Sequence, residues 1–186
     1  MNSKLQIISG VFRGRKLRLP PNARPTQNRA RVALFNMLES GLIDVSDRLI
    51  VWDSFGGSGA FGIECLSRYP NANVIFTDVN PTSIRTIRDN LAGLSVGTCA
   101  HVVQDDAIVM ANKFGDSADL IFIDAPYDMH ELGIKLVKKL TAVAKVGAIV
   151  VWEVENNKSV NVDAEKWRVL RDKIYGRARF LILQKL

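Results

Sequence analysis

Leu49-Ile-Val-Trp-Asp-Ser-Phe-Gly-Gly-Ser-Gly-Ala-Phe-Gly62 sets an apolar run directly against a glycine-rich turn. The apolar run reads as a buried strand, and the glycines let the chain reverse tightly into a following helix. Gly57, Gly59 and Gly62 reproduce G-x-G-x-x-G, and Asp78 follows Gly57 by 21 residues at the end of the next apolar run, where an acid would hold ribose hydroxyls. Spacing alone indicates a nucleotide cofactor without saying which. A dinucleotide would lay its pyrophosphate on this turn, yet Asp53 stands at the strand tip, where a carboxylate repels phosphate. A cofactor without phosphates and with a cationic end suits that acid better, and S-adenosylmethionine has an ammonium and a sulfonium at one end and a ribose at the other.

Outward from this stretch, strand-like runs alternate with segments long enough for helices: Leu49 to Trp52, Val74 to Thr77, His101 to Gln104, Leu120 to Ile123 and Ala148 to Val154. Continuous apolarity implies burial on both faces, so a parallel sheet wound by right-handed crossovers is expected, a Rossmann-like sandwich. Trp167 to Ile174 and Arg179 to Gln184 are joined only by Tyr175-Gly-Arg-Ala178 and should close the sheet as an antiparallel hairpin. Ligands in such folds bind beyond the carboxyl ends of the strands. There the third strand offers Asp105-Asp106, either a partner for an adenine amino group or a helix N-cap.

The fourth strand ends in Asp124-Ala-Pro-Tyr127. Methylating an exocyclic amine requires drawing its lone pair out of conjugation with the base. The Asp124 carboxylate and the Ala125 carbonyl could each accept one N–H of the amine, while Tyr127 stacks on the ring. Pro126 keeps Ala125 out of the helical region and so aims that carbonyl.

Charge is distributed unevenly. Residues 1–38 carry eight basic side chains and no acid, whereas the whole chain is +6, so the remaining 148 residues sum to −2. A basic arm on a near-neutral body suits docking on a phosphate backbone. Within the arm, Leu5 to Ser9 and Lys16 to Leu19 are expected to be two short strands flanking Phe12-Arg-Gly14. Arg24-Pro-Thr26 then reads as a helix start, with Thr26 as N-cap and Val32, Phe35 and Leu38 facing a core. Cys65 and Cys99 lack partners for a metal site or a disulfide framework, and His101 and His130 read as structural. No run approaches membrane-spanning length and the start lacks a secretory pattern, so a cytoplasmic protein is expected.

The chain resembles the bacterial 16S ribosomal RNA guanine-N2 methyltransferases. The resemblance rests on Ile7 to Gly10 and Arg13-Gly-Arg-Lys-Leu17, on Arg24-Pro-Thr26 with Arg29, Arg31 and Leu34-Phe-Asn36, on Phe55 to Gly62 with Glu64, and on Asp124-Ala-Pro-Tyr127. It implies a class I methyltransferase fold with a mostly parallel seven-stranded sheet, divided into a basic hairpin arm (1–24) and a methyltransferase domain (25–186). It implies S-adenosylmethionine as cofactor, no metal, and a monomer acting on guanine 966 of 16S rRNA in the small subunit or its assembly intermediate. Asp53, Phe55, Gly57, Ser58 and Gly59 would line the methionine end, Asp78 the ribose and Asp106 the adenine. Asp124, Ala125, Pro126 and Tyr127 would hold the guanine, and Arg13, Arg15, Lys16, Arg24, Arg29 and Arg31 would contact RNA. The chain departs from the family pattern at Ala125, where a proline is usual, and at Asn28 and Val32, where acids are common. The competing classes are an adenine-N6 methyltransferase, a nicotinamide oxidoreductase and a non-catalytic RNA-binding assembly factor.

Overall fold

A computed structural model describes residues 5–21, 28–44, 48–94 and 96–186. Its centre is one seven-stranded sheet in the order β3-β2-β1-β4-β5-β7-β6. Strands β1 (Leu49–Asp53), β2 (Ala72–Asp78), β3 (Ala100–Gln104), β4 (Leu120–Ile123) and β5 (Ile149–Glu155) run parallel, with the chain reversing direction across the sheet at β1. The closing hairpin, β6 (Trp167–Tyr175) and β7 (Ala178–Lys185), inserts β7 antiparallel beside β5 and leaves β6 at the edge. All seven runs read from the sequence beyond the arm are strands; in β1, β4 and β5 apolar residues on both faces demand cover on both sides, whereas the edge strand β6 is largely exposed.

Alternation along each strand divides the core in two. Val51, Val74, Phe122, Val151, Phe180 and Ile182 face one layer, which contains α1 (Asn28–Glu39), α2 (Ala60–Arg68), α3 (Pro81–Ala92) and the N-terminal arm. Trp52, Ile121, Ile123, Val150, Trp152 and Leu181 face the other, covered by α4 (Ala107–Phe114) and α5 (Glu131–Val143). The period-two geometry of a strand forces this partition. It therefore also decides which layer each residue at a strand tip will face.

The arm differs from the expected pair of strands. Among the described residues only Gln6 and Lys16 form a bridge there, supported by Ile7 N–H to the Arg15 carbonyl and Leu17 N–H to the Leu5 carbonyl. The reason is that the intervening N–H groups are spent on α2. Ile8 and Ser9 donate to the Glu64 carboxylate at 2.8 and 2.9 Å, and Phe12 donates to Ser67 Oγ at 2.9 Å. Ser67 in turn donates to the Ser9 carbonyl, and Asn90 of α3 accepts from Arg18 N–H. Gly10 has φ +80°, and a Cβ there would overlap the Ser67 carbonyl, so only glycine lets the arm lie this close. Leu5, Ile7 and Leu17 are buried in the same core as α1 and α2.

Helix α1 also turns differently from expectation. Ala30, Arg31, Leu34, Phe35 and Leu38 form its buried stripe, and Val32 is 37% exposed. At 100° per residue Val32 lies about 130° from the centre of that stripe, so the helix is rotated from the expected Val32-Phe35-Leu38 face. Thr26, expected to cap it, lies outside the described residues.

Candidate active site

The carboxyl ends of the parallel strands open into a cleft of about 1280 Å³ lined by Ser54, Phe55, Gly57, Asp78, Val79, Asp105, Asp106, Asp124 to Met129, Glu153 and Glu155, among others. A smaller cavity of about 100 Å³ lies beside it, sharing Phe55, Gly57, Asp124 and Glu153 and adding Asp53, Arg31, Phe61 and Phe122. The strand tips are held rigidly to one another. Trp52 Nε1 donates to Thr77 Oγ1, Thr77 Oγ1 to the Ser54 carbonyl, and Ser54 Oγ to the Phe122 carbonyl at 2.6 Å, tying β1, β2 and β4 together.

The glycine loop does what its composition suggests. Gly57 and Gly59 take φ of +54° and +76°, and Gly59 N-caps α2. Asp78 couples loop to strand: Oδ2 accepts from Gly57 N–H at 2.9 Å and Oδ1 from Asn80 N–H at 2.8 Å. Asp53 is 1% exposed and accepts from Gly62 N–H in the first turn of α2 at 3.1 Å. A protein carboxylate therefore already occupies the helix end that would otherwise attract a pyrophosphate. Burial pushes the Asp53 carboxyl up to about 8 against the pull of the Gly62 N–H, with Asp124 and Asp78 adding repulsion.

Asp124 lines both cavities, and loss of solvent raises its carboxyl to about 7. Beneath it Phe122 stacks on Phe61 with centroids 4.1 Å apart, and Phe61 on Phe35 at 5.3 Å, a column joining β4, α2 and α1. Ala125 is buried, and Pro126 (φ −51°, ψ 135°) leads into a single tight turn over Tyr127–Met129. The Tyr127 hydroxyl donates to Glu153 Oε1 at 3.0 Å, and Arg177 from the β6–β7 turn lies 5.9 Å over the Tyr127 ring.

Asp106 caps α4, accepting from Ile108 and Val109 N–H, and lines the cleft as well. Phe55 and Ser58 sit at the loop, each lining a cavity. Arg13, Arg15, Lys16 and Arg29 are exposed, and Arg24 lies outside the described residues. Arg31 is a correction. It is 3% exposed, donates to the Gln6 carbonyl and lies 3.8 Å from Glu64, so its guanidinium is not offered at the surface to a phosphate. Its position within the rotated stripe of α1 is the reason. Its Nε and Nη1 have no partner among the described residues and it lines the small cavity.

Sequence reasoning missed Glu153. It sits inside the apolar run of β5, only 4% exposed, where a charged residue in an otherwise buried strand was the available signal. Lys158, Tyr175 and Arg177 on the cleft's far lip were also missed. Among the described residues no cluster of His, Cys, Asp and Glu is arranged to hold a metal ion.

A protein family described as "Conserved hypothetical protein 95" matches residues 5–184. Ribosomal RNA small subunit methyltransferase D of Escherichia coli K12 is 32% identical over 188 residues, covering 99% of this chain and 91% of that protein. The chain belongs to this family. The methyltransferase D of Haemophilus influenzae is 29% identical, with 97% and 94% covered. A solved candidate methyltransferase from E. coli superposes with a TM-score of 0.78 at 31% identity over 97% of each chain. A Thermus thermophilus protein of solved structure, 24% identical with a TM-score of 0.77 over 97% of this chain and 99% of that one, shares the fold. The seven-stranded sheet with its antiparallel terminal hairpin is thus a Rossmann-like methyltransferase fold.

Proposed function

We propose that this member of the methyltransferase D family transfers a methyl group from S-adenosylmethionine to the exocyclic N2 amine of a guanine in 16S ribosomal RNA, at guanine 966 by analogy with its family. The observation that carries this reading is the convergence of Asp53, Asp124 and Glu153 at neighbouring strand tips beside the Asp-Ala-Pro-Tyr turn. The cleft and its side cavity hold Asp53, Asp78, Asp105, Asp106, Asp124, Asp128, Glu153 and Glu155 against Arg31, Lys158 and Arg177. Such a site repels a dinucleotide and suits a ligand with a cationic end.

The residues fit this cofactor. Phe55 and the loop of Gly57, Ser58 and Gly59, with Asp53, would hold the methionine end, Asp78 the ribose and Asp106 the adenine. When bound, S-adenosylmethionine supplies a methyl group on a positively charged sulfur. Asp124 and the Ala125 carbonyl would each accept one N–H of the amine, turning its lone pair toward that methyl. Tyr127, braced by Glu153, stacks on the base. The N–C bond would form as the sulfur–methyl bond breaks and a neutral thioether leaves, and Asp124 would hold the positive charge gained by the amine and accept its departing proton. Arg13, Arg15, Lys16 and Arg29 would grip the RNA backbone, with Arg24 alongside, and the chain would act on the small subunit or its assembly intermediate as a cytoplasmic monomer without a metal ion.

The test is Asp124→Ala. Calorimetry should show S-adenosylmethionine still binding, whereas methyl incorporation into unmodified small subunits should fall by about a hundredfold or more. Mapping by mass spectrometry should place the native enzyme's product on guanine N2. Undiminished transfer by the variant sinks the assignment of Asp124.

A further inference from the structure

We propose that Glu153 is a specificity-determining residue that accepts a hydrogen bond from N1–H of the target base, selecting guanine over a purine with a lone pair at that position. This rests on the N2-methylation reading above and adds how the base is recognised.

Register places the two carboxylates side by side. Ile123 of β4 pairs with Trp152 of β5, so Asp124 and Glu153 are the next neighbours, and both face the arm side of the sheet, as Phe122 and Val151 do. The order β1-β4-β5 puts Asp53 on the same face, level with Phe122 and so two residues behind Asp124 and Glu153. With the methionine end over the β1 loop and the amine at Asp124, the base must extend toward β5.

Glu153 is prepared for one more partner. One oxygen, Oε1, is held by the Tyr127 hydroxyl, while Oε2 is buried and has no hydrogen-bond partner among the described residues. The residue is 4% exposed and lines both the cleft and the smaller cavity. A buried carboxyl oxygen left open beside a ligand cavity calls for a partner from the ligand; burial and Asp124 push the Glu153 carboxyl up, and an N–H donor placed against it favours the ionised, accepting form. In guanine the carbon bearing the amine lies between N3, an acceptor, and N1–H, the atom that can donate to Glu153. In adenine the amino-bearing C6 is flanked by C5 and by N1, whose lone pair would face the carboxylate unfavourably. The contact thus recognises guanine at an atom that undergoes no chemistry.

The discriminating substrate is 2,6-diaminopurine, which keeps the 2-amino group and the purine shape but presents a lone pair at N1. Small subunits are reconstituted with 16S RNA carrying guanine or 2,6-diaminopurine at the target position, and kcat/KM for N2 methylation is compared. The native enzyme should prefer guanine by about a hundredfold or more, since a site built to accept a hydrogen bond rejects an analogue lacking the donor. Glu153→Gln retains an oxygen for Tyr127 and offers an amide N–H to the lone pair, so the preference should shrink to within about tenfold. Equal use of both substrates by the native enzyme, or undiminished preference in a folded Glu153→Gln variant, overturns the inference while leaving the methyl-transfer reading intact. Failure of the native enzyme to methylate guanine N2 overturns both.

Discussion

Tyr127 donates its phenolic hydrogen to Glu153 Oε1 at 3.0 Å, linking the turn after β4 to the carboxyl-terminal part of the buried β5. The bond spans 26 residues of chain and fixes the plane of the only aromatic ring in the Asp-Ala-Pro-Tyr turn. It substitutes for some of the rigidity that a proline at position 125 would have supplied.

Tyr127→Phe should therefore impair catalysis without removing the stacking surface. A hydrogen bond to a carboxylate contributes about 1.5–3 kcal/mol, so kcat/KM should fall by roughly ten- to a hundredfold. Cofactor affinity, measured by calorimetry, should be unchanged. Full activity in the variant shows that the ring is held by packing alone.

Ionisation of the buried acids gives a pH signature. Asp53 titrates near 3.8 in an unfolded chain and at about 8 in the folded protein, so the folded state keeps a proton that the unfolded state has released. Its stabilising contribution is full below about pH 4 and is lost as pH rises through about 8. The melting temperature of the ligand-free protein should therefore decline between pH 5 and 9 more steeply than that of Asp53→Asn. A cationic ligand favours the ionised acids, so S-adenosylmethionine affinity should rise over pH 6 to 9, a range in which Asp124, at about 7, also ionises. Calorimetry showing affinity independent of pH contradicts this.

The arm's exposed and buried arginines should behave differently. Replacing Arg13, Arg15 and Lys16 together by Ala should lower the slope of log K against log salt for RNA binding by about 2–3, with little change in melting temperature. Arg31→Ala should do the reverse, since it removes the buried donor to the Gln6 carbonyl and one of the cations beside the buried Glu64. Deleting the arm is a poorer experiment, because Leu5, Ile7 and Leu17 belong to the core.

Gly10→Ala should destabilise the protein by at least about 2 kcal/mol, combining a left-handed backbone with overlap on the Ser67 carbonyl. Urea unfolding measures it. A value near zero shows that the arm can shift away from α2 at no cost.

By itself the sequence determined the alternation of strands and helices, the terminal hairpin and the turns at each strand tip. These depend on local periodicity and on glycine or proline chemistry, which act over a few residues: Leu49 to Gly62 announces strand, loop and helix without reference to the rest of the chain. The charge of the arm and the Asp-Ala-Pro-Tyr turn were legible in the same way. Only the tertiary structure decided what meets across the sheet. Arg31 and Arg29 are alike in sequence, yet the rotation of α1 buries one and leaves the other in solvent. Glu153 looks like an interruption of an apolar strand until the pairing of β5 with β4 sets it beside Asp124, because strand register joins residues that no local pattern connects.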